Sequence, residues 1–355
     1  MKVGCIRHSE NINEIIVQQL FAFTGLYNID FFFFTKDSVD IDKKIIKGLF
    51  WDKKSSKYLE KDTAYPDIIE DERAIWKSSP LCIKLAKELR QYSLFTYVAL
   101  RGKKGVINIL EQNGFSRYLI ATYEYGEIDI DKLLGKHNEV IIKPNNATHG
   151  TGVHKLSKNG NLYFLHTKLC RQDIQIENFK AEYAGEFKKA RYLVQSYINS
   201  VTNAGNPFDI RIDLRRGKNG KWIFISAHAR IGNKEGIVSN LAQGGVAAYD
   251  VQTFLKSEFN GDHERIYDEL LYLAKKLPDV IQSGYDNTIT SLGFDVGINR
   301  ANSNELKIFE VNSSPGGATL SLDVAQAKVQ CYNYLYENID KLMDIQRNTY
   351  FRSGI

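Results

Sequence analysis

At 355 residues, the chain is longer than one hydrophobic core usually serves, which predicts two or three packed subdomains with a cleft between them. Its composition, 43% hydrophobic and 25% charged with 6 prolines, is that of an ordinary globular protein and excludes a disordered or collagen-like chain. The 47 basic residues slightly exceed the 42 acidic ones but are scattered along the chain, so we expect no nucleic-acid partner.

The first hundred residues have the pattern of a small α/β unit. A strand is predicted from Lys2 to Ile6, an amphipathic helix from Asn13 to Phe23 and a second strand from Ile29 to Thr35. Because no G-x-G-x-x-G motif follows the first strand, we predict a substrate-side domain here rather than a nucleotide site.

The composition of the sequence changes near residue 100, which predicts a domain boundary there. A segment of lysine and glycine residues that begins at Gly102 starts an apolar helix. A strand is predicted from Glu139 to Lys143, a charged helix over residues 174–189 and a strand from Tyr192 to Gln195. A segment rich in Ser, Asn and Gly follows this strand and predicts a second boundary near residue 199.

Long strands dominate the last part of the chain. We predict them over residues 208–215, 222–230, 293–299 and 306–312, with a helix over residues 263–277 and a final helix that begins near Leu322.

The cysteines and the hydrophobic segments indicate the cellular compartment in which the protein is expected. Cys5, Cys82, Cys170 and Cys331 lie far apart, without a C-x-x-C motif or zinc-type spacing to histidine. The first residues lack the pattern of a signal peptide, and the aromatic run from Phe31 to Phe34 is too short to cross a bilayer. We therefore expect a cytoplasmic protein with reduced thiols and no membrane partner.

The most informative segment is a strand that ends in Glu310, Val311 and Asn312 and runs into a turn rich in Ser, Pro and Gly. Glu310 and Asn312 share one face of the strand, and their oxygens are ligands that Mg²⁺ prefers. If the preceding strand pairs with this one as a hairpin through residues 302–304, Asp295 approaches Glu310, and a cation between the two carboxylates would relieve their repulsion. A polar strand end closed by a turn would show the same residue types.

A second informative segment delivers Lys143 from a strand into a loop of small and hydrogen-bonding residues that ends at Gly152. Backbone N–H groups in such a loop can turn toward an anion, which makes it a candidate phosphate cradle. It is not a P-loop, because the lysine precedes the glycines. A plain hairpin is the alternative interpretation.

Strict alternation from Phe208 to Asp213 places Asp209, Arg211 and Asp213 on one face of a strand. Together with Arg230 on the next strand, this face is interpreted as the wall of a cleft with fixed cations for phosphate or carboxylate. A merely solvated polar face remains the alternative.

Taken together, these segments resemble the ATP-grasp superfamily, over roughly residues 102–317. The stretch over residues 65–73 and the motifs around Lys143, Arg211, Gly244 and Asp295 look most like the endospore coat-associated YheC/YheD branch. The resemblance implies an α/β (α+β) ATP-grasp fold, with an N-terminal α/β pre-ATP-grasp domain in residues 1–100. Two α+β subdomains, residues 101–198 and 199–355, would then clasp ATP between them.

The resemblance also implies roles for single residues. Lys143 contacts the ATP phosphates, and either Lys103 or Lys104 supplies the upstream phosphate lysine. Arg211 and Arg230 lie near the transferred phosphoryl group and, with Lys143, form the candidate catalytic set. The metal ligands are Asp295, Glu310 and Asn312. The remaining candidate nucleotide contacts are Asn146, Thr148, His149, Gly150, Thr151, Gly152, Gln195, Ser196, Tyr197, Ile198 and Asp209. Among these, residues 195–198 form the adenine-binding hinge, although the family often has Glu at the position of Gln195.

From this pattern we expect a carboxylate-amine ligase that uses ATP and Mg²⁺, with Mn²⁺ as a substitute, and forms an acyl phosphate intermediate. Its reactants would be a small-molecule or peptide carboxylate and an amine acceptor, and a homodimer is left open. One alternative is an ATP-dependent kinase of a small molecule or peptide. Another is a spore-coat or surface-assembly protein that binds nucleotide without turnover.

Overall fold

The structure, a computed structural model, describes residues 1–7, 15–71, 79–146, 151–167, 171–189, 191–234, 236–237, 239, 244–315 and 322–353. Within these residues the strands form three sheets of seven, six and five strands. The first sheet precedes the other two along the chain.

The first sheet is built around a parallel centre. Strand β1 pairs in parallel with β2 and β6, β6 pairs in parallel with β7, and the antiparallel strands β3, β4 and β5 extend the edge beyond β2. Two described helices accompany it. The elements are β1 (Lys2–Arg7), α1 (Ile15–Leu26), β2 (Asp30–Thr35), β3 (Val39–Asp40), β4 (Ile45–Asp52), β5 (Lys57–Ala64), β6 (Ile68–Glu70), α2 (Pro80–Leu89) and β7 (Leu94–Phe95).

The second sheet is antiparallel, with the strand order β12, β11, β10, β9, β13, β8. Its elements, with the helix that precedes it, are α3 (Gly102–Gln112), β8 (Thr122–Glu124), α4 (Ile130–His137), β9 (Glu139–Pro144), β10 (His154–Asn159), β11 (Leu162–His166), β12 (Arg171–Ile174), α5 (Ile176–Lys189) and β13 (Tyr192–Ser196).

The third sheet is also antiparallel, with the order β16, β15, β14, β17, β18. The elements of this part of the chain are β14 (Phe208–Arg216), β15 (Trp222–Ile231), β16 (Val246–Ala248), α6 (Val251–Phe259), α7 (His263–Gln282), β17 (Ser291–Asn299), β18 (Glu305–Asn312), α8 (Leu322–Glu337) and α9 (Ile339–Ser353).

The hydrophobic clusters join segments that are distant in sequence. The apolar face of β14 packs in one cluster with residues of α7 and with Val106, Ile109 and Leu110 of α3. Helices α8 and α9 pack in another cluster with β1, α1 and β2. These contacts run across the predicted boundaries near residues 100 and 199, and the boundaries themselves stay predictions.

Among the described residues, no helix has the length and apolar character needed to cross a membrane.

Candidate functional site

The polar face of β14 is the floor of the candidate site. Asp209, Arg211, Asp213 and Arg215 alternate with apolar residues and therefore share one face of the strand. All four are buried. Because buried charges persist only when they are paired, this face cannot be a solvated surface and must hold a network of ion pairs.

Two arginines grip the carboxylate of Asp295. This residue lies opposite Arg211 in the pairing of β14 with β17, and Arg211 donates to both of its oxygens, with Nη2 at 3.1 Å from Oδ2. Arg230 places its Nη2 at 2.9 Å from the same oxygen. Burial alone would raise the pKa of Asp295, but attraction to the two guanidinium groups outweighs burial and lowers the pKa to about 2. Asp295 therefore stays ionised.

Arg230 links Asp295 to a second carboxylate. Its Nε and Nη2 donate to the two oxygens of Asp209 at 2.7 and 2.6 Å, a bidentate arrangement that fixes the plane of the guanidinium group. The hydroxyl of Ser239 donates to Asp209 at 2.5 Å. Burial alone would lower the pKa of Arg230, but Asp295 and Asp209 together outweigh burial and raise it, so Arg230 stays positively charged.

The hairpin predicted from the sequence is confirmed. Strands β17 and β18 pair antiparallel, with Asp295 opposite Glu310 and Gly293 opposite Asn312, so the three predicted metal ligands lie on one face of the sheet. The Nδ2 atom of Asn312 is 3.5 Å from Oδ2 of Asp295. Ser303 and Asn304 in the connecting turn have positive φ angles of 46° and 53°.

The donor chemistry at this place suits a hard divalent cation. Two carboxylates and an amide are oxygen donors, and Mg²⁺ commonly takes one or two protein carboxylates and completes its shell with phosphate and water oxygens. The described residues contain no group of three or more His, Cys, Asp and Glu that could bind a metal by themselves. Phosphate and water oxygens would complete the shell of a Mg²⁺ ion held here.

Lys143 reaches the same place from the second sheet. Its Nζ donates to the backbone oxygen of Phe309 in β18 at 3.2 Å. Burial, together with repulsion from Lys103, lowers the pKa of Lys143 to about 8, although Glu310 and Asp295 act in the opposite direction. Two lysines and two carboxylates thus converge where the second and third sheets meet.

The two adjacent lysines at the start of α3 have different partners. Lys103 forms an ion pair with Glu310, with its Nζ 3.1 Å from Oε1. Lys104 instead contacts Glu124 at 2.9 Å and Glu127 at 3.3 Å. Successive residues of a helix point about 100° apart, so only one of the two lysines can face Glu310.

The predicted adenine hinge, residues 195–198, comprises the last two residues of β13 and the two residues after it. The side chain of Gln195 is buried and donates to Oγ1 of Thr122 on the neighbouring strand at 2.6 Å. The backbone N–H of Tyr197 donates to the Glu139 oxygen at 3.2 Å, and Ile198 accepts from Ser200. The buried hydroxyl of Ser196 has no hydrogen-bond partner. Because the Gln195 side chain is already engaged, the adenine contact predicted here would rest on backbone groups of residues 195–198 other than the Tyr197 N–H.

The predicted phosphate loop is described at its two ends. Thr148, His149 and Gly150 lie outside the described residues, whereas Asn146 and Thr151 are exposed. Gly152 has a φ of +71°, and a Cβ atom there would lie 2.7 Å from the Tyr192 hydroxyl, so glycine is required.

Sequence reasoning left Arg215 and the neutral His228 out of the candidate site. Arg215 continues the alternation of β14 and pairs with Asp213, so extending the period by two residues would have found it. His228 lies opposite Arg211. Burial and repulsion from Arg211 and Arg230 lower its pKa to about 4.

The family model described as YheC/D like ATP-grasp matches residues 91–340 of the chain. The chain belongs to this family. The match spans all the described candidate residues, from Lys103 to Asn312. It confirms the resemblance inferred from the motifs.

Two curated proteins of Bacillus subtilis (strain 168) are related to this YheC/D-like chain. Endospore coat-associated protein YheD is 28% identical over 200 residues, which cover 54% of this chain and 43% of YheD. The chain thus spans less than half the length of YheD. Endospore coat-associated protein YheC is 24% identical over 317 residues, which cover 86% of each protein.

A solved structure supports the ATP-grasp fold of the YheC/D-like chain. The RiPP-associated ATP-grasp ligase of Chryseobacterium gregarium, determined with ADP and a leader and core peptide, superposes with a TM-score of 0.54 at 11% identity. The superposition covers 94% of this chain and 97% of the ligase. At this level of identity the likeness shows a shared fold, and the predicted ATP-grasp fold is confirmed.

Proposed function

We propose that the protein is an ATP- and Mg²⁺-dependent ligase that joins a carboxylate to an amine through an acyl phosphate. The observation that carries the proposal is the convergence of Lys143, Lys103, Asp295 and Glu310 where the second and third sheets meet. The two lysines can bind the anionic phosphates of a polyphosphate, and the two carboxylates can bind the cation that accompanies it. Membership of an ATP-grasp family supports the same assignment.

The lysines would bind the nucleotide. Lys143 and Lys103 present ammonium groups at one place. Burial and then repulsion from Lys103 lower the pKa of Lys143, and a bound phosphate would favour the charged form again. Glu310 and Asn312, with Asp295 behind them, would hold the divalent cation, which offsets phosphate charge when bound. When the nucleotide binds, Lys103 would leave its ion pair with Glu310 and contact a phosphate oxygen instead.

The arginines would act on the group that receives the phosphoryl. Arg211 and Arg230 are fixed by Asp295 and Asp209, so their positive field at the site needs no reorganisation during reaction. In the first step an oxygen of the substrate carboxylate attacks the γ-phosphorus, the bond from that phosphorus to the β,γ-bridging oxygen breaks, and ADP leaves. In the second step the amine nitrogen attacks the acyl carbon and loses a proton, and inorganic phosphate leaves.

Two other functions remain as competitors. A kinase would stop after the first transfer and leave a stable phosphate on its acceptor. The names of YheC and YheD, endospore coat-associated proteins, suggest a third role, assembly of a spore coat without turnover. The intact set of lysines, arginines and carboxylates favours chemistry, because a protein retained only for assembly has no need of buried, mutually oriented charges.

Hydroxylamine trapping distinguishes these functions. Purified protein is incubated with Mg²⁺, ATP and hydroxylamine against a panel of carboxylic acids, and ADP and hydroxamate are measured together. A ligase yields both with its own carboxylate, because hydroxylamine captures the acyl phosphate. ADP without hydroxamate, with phosphate on an acceptor hydroxyl, would establish a kinase, and nucleotide binding without ADP release would establish an assembly role.

A further inference from the structure

A small cavity adjoins the candidate site on the side of the first sheet. Its internal volume is about 50 Å³, enough for a few water molecules or the charged end of a small ligand. The described walls come from the ends of β6 and β7 in the first sheet, from the end of β14, the start of β17 and the residues after β18 in the third sheet, and from α8.

The cavity continues the polar face of the candidate site. Ser313 and Ser314 in its wall directly follow Asn312, and Ser291 fixes this segment by donating to the Ser313 oxygen at 2.5 Å. Arg215 lies four residues along β14 from Arg211, a separation of about 13 Å in a strand. A ligand in the cavity would therefore lie on the same strand face as a group bound at Arg211, two alternating positions further along β14.

The walls carry charges of both signs at different places. Glu70 and Asp71, at the end of β6, are acidic and buried, whereas Arg215 is a buried cation on the opposite sheet. Lys328 of α8 forms an ion pair with Glu70, to which the Tyr332 hydroxyl also donates at 3.1 Å.

Arg215 has a hydrogen-bond donor that the protein does not use. Its terminal nitrogens contact Asp213 and the backbone oxygens of Leu214 and Pro315, but its buried Nε has no hydrogen-bond partner. Arg216 also lines the cavity, yet its guanidinium group is already engaged by backbone oxygens and by Gln282. Since unpaired buried donors are costly, Arg215 is the group in this wall that gains most from an anionic ligand.

We propose that this cavity binds one of the two reactants and that this reactant is a zwitterion, an amino acid whose carboxylate faces Arg215 and whose ammonium faces Glu70 and Asp71. A carboxylated sugar has hydroxyl donors but no positive charge for the acidic wall, and a polyamine has no anionic group for Arg215. The small volume admits the backbone atoms of an amino acid. The role as a reactant rests on the proposed ligase function, whereas the binding does not.

Binding is therefore tested on the full chain without nucleotide. The proteinogenic amino acids and D-alanine are screened at millimolar concentration for an increase in the unfolding temperature. For each one that binds, the analogues that lack the amino group or the carboxylate are titrated in parallel. We expect each analogue to bind roughly tenfold more weakly or worse, since each loses a hydrogen bond to a charged group.

Two variants locate the binding. Ser314 is exposed at the cavity wall, so Ser314→Phe should fill the space without disturbing an ion pair and should abolish the shift. Arg215→Met should weaken binding as well, but it leaves Asp213 without its arginine and serves only if the variant folds. The control is Ser283→Phe, at an exposed position beyond the end of α7 and outside the cavity, which should bind as the parent protein does.

The outcomes separate this proposal from the ligase function. No shift with any amino acid, equal binding of the analogues, or unchanged binding by Ser314→Phe would overturn the cavity assignment. Amino-acid binding without ADP release or hydroxamate would uphold the cavity and remove the ligase. If the acid that yields hydroxamate has no amino group and the amine acceptor has no carboxylate, the ligase function is upheld and the amino-acid cavity is overturned.

Discussion

Lys143 is the residue that shows most clearly what a partly buried charge costs the fold and what it can do for binding. The folded protein lowers its pKa from 10.5 to about 8 because burial and Lys103 disfavour the ammonium form. The unfolded chain therefore binds more protons between these two values, and this group destabilises the fold fully below pH 8 and progressively less as the pH rises toward 10.5.

We expect Lys143→Met to be more stable than the parent protein at neutral pH and unable to bind ATP. The gain in the free energy of unfolding should be about 1–3 kcal/mol, since one pKa unit corresponds to about 1.4 kcal/mol. Chemical denaturation with and without Mg-ATP measures both effects. In the parent protein, nucleotide affinity should fall as the pH rises through 8, where the lysine loses its charge. A variant that is less stable and still binds ATP would contradict both expectations.

Lys103 and Lys104 provide a matched pair of substitutions on one helix. Lys103→Met removes the ammonium at Glu310 and should reduce ATP-dependent turnover by roughly a hundredfold, in line with the loss of one group that stabilises developing charge. Lys104→Met removes only contacts with Glu124 and Glu127 near the surface and should leave turnover nearly unchanged. Equal losses in the two variants would show that α3 does not orient the phosphate lysine.

At the level of elements, three adjacent strands of the third sheet each contribute one charged residue to the site. Strand β14 carries Arg211, β17 carries Asp295 and β18 carries Glu310, and the register places them in one row across the sheet. The row alternates in charge, with Arg211 paired to Asp295 and Lys103 to Glu310. The two carboxylates differ in surroundings, since the Asp295 side chain is 7% exposed and that of Glu310 is 26% exposed.

This difference predicts different results for two isosteric substitutions. Asp295→Asn leaves two buried guanidinium groups without a shared anion and should cost about 3 kcal/mol or more of stability. Glu310→Gln should change the unfolding temperature much less, because the Glu310 side chain is partly exposed and water can compensate for the lost ion pair. Both should abolish metal-dependent turnover. Thermal unfolding and ADP release measure the two effects, and normal turnover by Glu310→Gln would show that the strand end is only a polar cap.

At the scale of the whole molecule, the three sheets are tied together by contacts between distant segments. Lys143 of the second sheet binds the backbone of β18, helix α3 packs on the core of the third sheet, and α8 and α9 cover the first sheet. The candidate nucleotide site lies where the second and third sheets meet, so a ligand that binds there contacts both.

We therefore expect Mg-ATP to stabilise the native state without any acceptor, by about 2.7 kcal/mol at about a hundredfold excess over Kd. Thermal unfolding with Mg-ATP, compared with ATP in the presence of a chelator, measures the effect and its dependence on the metal. Lys143→Met is the control and should show no increase. An unchanged unfolding temperature in millimolar Mg-ATP would remove the nucleotide site from the proposal.

Several elements could not be predicted from local patterns. The hairpin of β4 and β5 is rich in charged residues, and β5 lacks the alternation that marks a half-buried strand. The short helix α4 has clear end signals, an Asp129 side chain that accepts from the Asp131 N–H and a left-handed Asn138, but too few turns to show a period.

The sequence by itself determined the features that depend on local period. The shared face of β14, the hairpin of β17 and β18 and the delivery of Lys143 at a strand end follow from alternation and turn residues within a short segment. These features were sufficient to indicate the ATP-grasp family.

Only the tertiary structure decided which of the two lysines faces Glu310 and that the Gln195 side chain is engaged by Thr122. It also brought Glu70 to Lys328, which are 258 residues apart in sequence. The physical reason is that the rotation of a helix about its axis and the contact between sheets are set by packing of distant apolar faces. A local pattern fixes which residues share a face, and packing decides what that face meets.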